Sequence, residues 1–151
     1  MADPSWYAAL AASRSVAEPM LLAAEEIGTD RAVMRLRVRY RFRGDLNAAV
    51  RAVVDPDRLV WVEESTYDRP SHVSAFRIVP EHYGSKLQCS GTLAMLPVED
   101  DGAVVRILEG ELTVRMPFVG GKVEAAIVSG LRQHAATEET VFPTWLVTQT
   151  H

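Results

Sequence analysis

His134 and Glu138 stand four residues apart in a stretch whose apolar residues recur with helical spacing, so an imidazole and a carboxylate share one helix face within hydrogen-bonding reach. Such a pair can pass protons as general acid and base, or supply two ligands to a metal that finds others. The same spacing also describes an ordinary helix-surface or cavity-rim pair. The other histidines, His72, His82 and His151, show no ligand spacing of the His-Glu-x-x-His kind, and no metal site is predicted. Cys89 lies mid-strand between Leu87 and Gly91 with no base beside it, and reads as a buried apolar cysteine rather than a nucleophile. No serine sits in a Gly-x-Ser-x-Gly elbow. Gly120-Gly121 precedes a helix without a phosphate-binding pattern, and reads as a hinge. The residues therefore name no catalytic group and no cofactor.

The one large charge feature is a ladder of five arginines, Arg35, Arg37, Arg39, Arg41 and Arg43. As a phosphate-binding face it would serve RNA or an anionic headgroup. As a solvated strand face it would be paired across the sheet with Glu25, Glu26, Glu63 or Glu64. The second reading is preferred, because the chain carries 14 Arg against 2 Lys and arginine is its default cation. Sixteen basic against 20 acidic residues give a net charge of −4, which argues against a nucleic-acid-coating protein.

The elements that must position these groups follow from periodicity. With 151 residues, 48% of them hydrophobic, and no linker or repeat, the chain reads as a single domain over 1–151 able to bury a core without staples. No apolar run is long enough to span a bilayer, the start lacks signal-peptide features, and one cysteine fits a reducing cytoplasm. Asp3-Pro4-Ser5 opens a short helix burying Trp6 and Leu10, with Val16 a further candidate. Residues 19–27 are ambiguous, with helical composition, but lead through Gly28-Thr29-Asp30 into a clear strand, so they read as its partner strand. In that following strand Met34, Leu36, Val38, Tyr40 and Phe42 alternate with the arginines, putting one face on a core and the other in water.

Leu46 to Val54 reads as a short helix, and Asp55-Pro56-Asp57 as a turn. Strands are predicted over Arg58–Asp68, His72–Pro80, Lys86–Pro97 and Ala103–Met116, joined by hairpin-length loops, the last of them Glu99-Asp100-Asp101-Gly102. Lys122 to Val147 then forms a long amphipathic helix carrying Val123, Ile127, Leu131, Ala135, Val141, Trp145 and Leu146, with Pro143 kinking or fraying its last turn. A long helix beside one antiparallel sheet is α+β architecture.

This order, and above all the segment from Gly110 to Glu124 with its Met116-Pro117-Phe118-Val119-Gly120-Gly121-Lys122 centre, resembles the START-like, polyketide-cyclase-like helix-grip superfamily. Within it, the chain resembles an uncharacterised bacterial family, through Glu138 and Trp145-Leu146 in the long helix, Asp3-Pro4-Ser5-Trp6-Tyr7, and Glu63-Glu64-Ser65-Thr66-Tyr67. The resemblance implies a curved sheet of about six strands wrapped around the C-terminal helix, and makes 19–27 a strand. It also implies a cavity for an apolar small molecule, such as a lipid, isoprenoid or polyketide-like compound. The expected lining is Leu36, Val38, Tyr40, Trp61, Glu63, Phe76, Leu93 and Met95 from the sheet, with Ile127, Leu131, His134, Glu138 and Trp145 from the helix. The same residues could instead simply fill a core.

Binding without turnover is the leading expectation, and a cyclase/aromatase-type enzyme is the alternative, with Tyr40, Glu63, His134 and Glu138 as its proton-moving candidates. Family members usually begin with a further strand and helix before the Asp-Pro-Ser-Trp equivalent, where this sequence starts at Met1. Either the start is truncated or the sheet lacks an edge strand; in the second case an open edge is expected, and with it a homodimer or another protein partner along the edge.

Overall fold

A computed structural model describes residues 3–13, 17–28, 30–98 and 104–149. The first helix, α1, runs over Pro4–Ala12, with Asp3 as N-cap accepting the Ser5 N–H at 2.8 Å and proline in the first turn, as expected. Trp6, Tyr7 and Leu10 are its buried side. Val16, Thr29 in the first hairpin loop, and the Glu99–Gly102 loop lie outside the described residues.

Six strands follow: β1 (Ala17–Ile27), β2 (Val33–Phe42), β3 (Val60–Asp68), β4 (Val73–Pro80), β5 (Leu87–Pro97) and β6 (Val104–Val114). They pair in sequence order as one antiparallel meander, with β1 and β6 at the edges. The ambiguous segment 19–27 is thus a strand, bulged at Leu22, since Leu21 faces Val38 while Ala23 faces Arg37. The helix read over Leu46–Val54 shortens to α2 (Ala48–Arg51), because the Asn47 side chain caps it by accepting the Val50 N–H at 3.0 Å. A 3₁₀ turn over Pro56–Arg58 delays β3 to Val60.

The closing helix, α3, spans Gly120–Gln149 and runs through Pro143. Gly120 has a packing reason rather than a hinge's freedom, since a Cβ there would meet the Val114 carbonyl oxygen at 2.6 Å. The fold is therefore α+β, a curved six-stranded antiparallel sheet with a long C-terminal helix, as the sequence predicts.

Buried apolar side chains gather at two separate places. One cluster joins Trp6, Tyr7, Leu10, Ala17, Val38 and Tyr40, with Trp61, Val141 and Trp145 packed against it. The other joins Val50, Val54, Val114 and Val123, with Leu112, Met116 and Ile127 against it. They fix the two ends of α3. Near its C-terminus Trp145 donates from Nε1 to Ser5 Oγ at 2.9 Å and meets Trp6 edge-on at 5.5 Å between ring centroids. At its N-terminus Glu124 accepts the Val114 N–H at 2.8 Å.

Candidate functional site

The span of α3 between these clusters faces the middle of the sheet with polar side chains. Strand alternation and register put Leu36, Val38 and Tyr40 of β2 on the same face as Trp61, Glu63 and Ser65 of β3, Phe76 and Ile78 of β4, Cys89, Leu93 and Met95 of β5, and Arg106 of β6. From the helix, His134 and Glu138 descend toward it, their side chains only 14% and 17% exposed. Arg106 reaches across from β6 to hold Glu138 at 2.6 Å, and Glu138 in turn lies 3.6 Å from His134 Nε2. The His134 ring stands edge-on to Tyr40, 5.7 Å away at 88°. Tyr40 stacks on Trp61.

The electrostatics of this cluster are set by burial. Desolvation, aided by the charge of Glu138, pushes the Glu63 carboxyl up to about 7. Burial likewise holds His134 below its usual value; Arg106 adds to that effect and Glu138 opposes it. Tyr40 and Tyr7 are both pushed well above the ordinary tyrosine range, mainly by burial and then by the Glu63 charge. The Cys89 thiol is raised by burial and then by Glu63, and the residue is half-buried rather than fully buried as expected. Glu63 is half-buried, and no hydrogen bond or ion pair from the described residues reaches its carboxyl group.

On the same sheet face Leu36, Phe76, Ile78, Leu93 and Met95 are half-buried apolar side chains. The sheet bends close beneath them. A Cβ on Gly91 would meet the Glu109 carbonyl oxygen at 2.1 Å and the Phe76 ring at 2.9 Å, so only glycine lets Phe76 lie across β5 here.

The residues expected to line a cavity divide three ways. Leu36, Glu63, Phe76, Leu93, Met95, His134 and Glu138 are half-buried and belong to neither core. Val38, Tyr40, Trp61 and Trp145 pack in one terminal core, and Ile127 in the other. Leu131 is 40% exposed. Sequence reasoning misses Arg106 altogether and places Tyr7 only within a family motif. For Arg106 a signal exists, since it is the lone cation in phase with Leu108, Leu112 and Val114 of β6. For Tyr7 there is none, because its place depends on how α1 docks.

The arginine ladder occupies the opposite face, as the alternation predicts. Arg37 and Arg77 share Glu64 at 3.3 and 2.6 Å, Arg39 holds Glu81 at 2.5 Å, and Arg43 holds Glu18 at 2.5 Å. Glu26 instead serves Arg31 and Arg69. Two expected counter-ions are corrected. Glu63 cannot pair with the ladder because it points to the other face, and Glu25 meets Arg35 only as its register neighbour, with no ion pair. A shallow depression of about 540 Å³ lies between Arg35, Arg37, Glu64, Thr66 and Arg77 on this face, apart from the cluster under α3. Among the described residues no three His, Cys, Asp or Glu gather as metal ligands, and no helix is long and apolar enough to cross a membrane.

Comparison with known proteins bears on this arrangement. Residues 1–146 match the model of a family described as "Protein of unknown function (DUF2505)". The chain belongs to that family. The crystal structure of TTHA0849 from Thermus thermophilus is similar to this chain with a TM-score of 0.56 at 15% identity, covering 97% of this chain and 90% of that one. At that identity the likeness concerns the fold. No curated protein matches the chain.

Proposed function

We propose that this DUF2505 chain is a member of the START-like helix-grip superfamily that binds an apolar small molecule with a hydrogen-bonding end, between the sheet and α3. One observation carries this reading. Arg106, His134 and Glu138 form a half-buried polar cluster between two separate hydrophobic cores, with Glu63 on the same sheet face in the field of Glu138. A protein with no use for these groups would gain stability by replacing them with apolar side chains, since half-buried charges cost desolvation. Apolar walls with a few convergent polar groups are how ligand sites are built. The ligand's body would lie along Leu36, Phe76 and Leu93, and its polar end would face Glu63 and His134.

The ladder's Arg37, Arg39 and Arg43 hold carboxylates, which supports a small-molecule reading over a nucleic-acid one. The single cysteine fits residence in the cytoplasm. Native mass spectrometry of gently purified protein, followed by solvent extraction, tests the proposal. A discrete co-purifying apolar compound is expected, and clean apo protein from several hosts contradicts it.

A second reading is favoured by the Glu63 carboxyl near 7, poised to give or take a proton at neutral pH in the field of Glu138. Under it the same site performs cyclase-type proton transfer on the bound molecule. Glu63→Gln then keeps ligand affinity while abolishing product formation from the extracted compound. The open β1 edge, with Met20 and Leu22 exposed beside the bulge, supports edge pairing with a second copy. Light scattering at high concentration checks this, and a strictly monomeric species rules it out.

A further inference from the structure

At the turn joining β6 to α3, Phe118 is completely exposed and holds a left-handed backbone, with φ at 64°. A bulky aromatic there carries both a backbone cost and an unfavourable contact with water. The turn itself is well made. Val119 N–H donates to the Pro117 carbonyl at 2.8 Å and Gly120 N–H to that of Met116 at 3.0 Å, so the ring is held outward by the chain path.

The chain's two lysines both lie at this end. Lys122 is in the first turn of α3, and the Lys86 carbonyl accepts the Arg115 N–H at 2.7 Å. Lys86, Val53, Met116, Pro117 and Val119 border a recess of about 280 Å³ beside the turn. Among the described residues neither lysine nor Arg115 has a carboxylate partner, a state shared with Arg35, Arg41, Arg58 and Arg132. What sets this end apart is a fully exposed aromatic on the turn that also carries such cations. An outward aromatic with cations on the same turn and the loop beside it is complementary to the headgroup region of an anionic bilayer, where the ring enters the acyl boundary and the cations meet phosphate.

We propose that this end of the molecule docks on anionic membrane surfaces, with Phe118 as the inserted group and Lys86, Arg115 and Lys122 as the headgroup contacts. Docking here would present the N-terminal end of α3 to the lipid, an interaction separate from whatever the gap under the helix holds. One aromatic and three cations give weak, reversible attachment that falls with added salt. The net charge of −4 keeps the remaining surface away from the bilayer.

Co-sedimentation of the full chain with vesicles tests this, comparing equimolar phosphatidylglycerol and phosphatidylcholine against phosphatidylcholine alone. The anionic vesicles should carry down the protein at low salt and the neutral ones should not. Phe118→Gly removes the ring and relieves the left-handed backbone, so this variant should melt no lower than the parent yet bind at least about fivefold more weakly. Lys86→Gln with Lys122→Gln should cost more than about tenfold, at roughly fivefold per cation. Phe118→Trp should retain binding and add an emission quenched by brominated lipid. The proposal is overturned by failure to sediment with anionic vesicles, or by binding that survives both sets of variants. A dimer in solution that Phe118→Gly dissolves also overturns it, making a second copy the occupant.

Discussion

Arg106 on the edge strand β6 and Glu138 on α3 form an ion pair at 2.6 Å that ties the middle of the long helix to the sheet. It lies between two hydrophobic clusters that already hold the helix at both ends. Its half-buried position between helix and sheet, rather than on the surface, is what separates this pair from the exposed ion pairs of the arginine face. Glu63 on β3 and His134 one turn before Glu138 complete the polar set.

Removing the cation alone should be costly. Arg106→Met leaves the Glu138 carboxylate half-buried without its partner, and a loss of about 1–3 kcal/mol in urea unfolding is expected at neutral pH. Arg106→Met with Glu138→Met should recover most of that loss, since the pair serves the site more than the fold. A double variant as unstable as the sum of the singles contradicts this.

Glu63 should make stability depend on pH. Its carboxyl sits near 7 in the fold, against an ordinary value of 4.5 in the free chain. Between those values the native state binds the extra proton, so its contribution is lost as pH rises from about 4.5 to 7 and is flat above. Glu63→Gln should therefore gain stability relative to the parent across that window, by up to about 3 kcal/mol at pH 8. His134, held below its usual value, acts in the opposite sense and is common to both proteins. Melting curves from pH 4.5 to 8 check this, and a constant difference between parent and variant contradicts it.

Gly91 should tolerate no side chain. With the Glu109 carbonyl oxygen only 2.1 Å from where a Cβ would lie, Gly91→Ala must displace β6 or β4. A loss above about 2 kcal/mol is expected, with changes in amide exchange centred on β5 and β6.

The aromatic closure at the end of α3 should be separable from the site. Trp145→Ala removes the Ser5 hydrogen bond, the edge contact to Trp6 and the tilted ring contact to Phe142, and should cost about 2–4 kcal/mol. Trp145→Phe, which keeps a ring, should cost under about half of that. Guanidinium unfolding of both variants measures the difference.

Much of this was legible in sequence because periodicity carries it. The Met34–Phe42 alternation fixed the two faces of β2, and the stripe through Val123, Ile127, Val141 and Trp145 fixed the face of α3 turned toward the sheet. The His134–Glu138 spacing put both on one helix face, whereas Glu63 was offered both as a counter-ion of the outward ladder and as a lining residue, and only the register decides between them. The tertiary facts were hidden. Nothing local distinguishes Leu131, which stays exposed, from Ile127 one turn earlier, and the Arg106–Glu138 pair depends on how the helix crosses an edge strand 32 residues away in the chain. The division of one expected lining into two cores and a set belonging to neither likewise follows from where α1 and α2 dock, which no single element encodes.

The central claim is that the gap beneath α3 accepts an apolar molecule. The most direct measurement is a fluorescence titration with N-phenyl-1-naphthylamine on the parent and on Leu93→Trp, which fills the gap from β5, with Leu131→Trp on the exposed side of α3 as control. The account predicts saturable one-to-one binding to the parent and to the Leu131 variant, and its loss in the Leu93 variant with the fold intact. Probe binding that is absent from the parent, or that is unchanged by filling the gap, would contradict it.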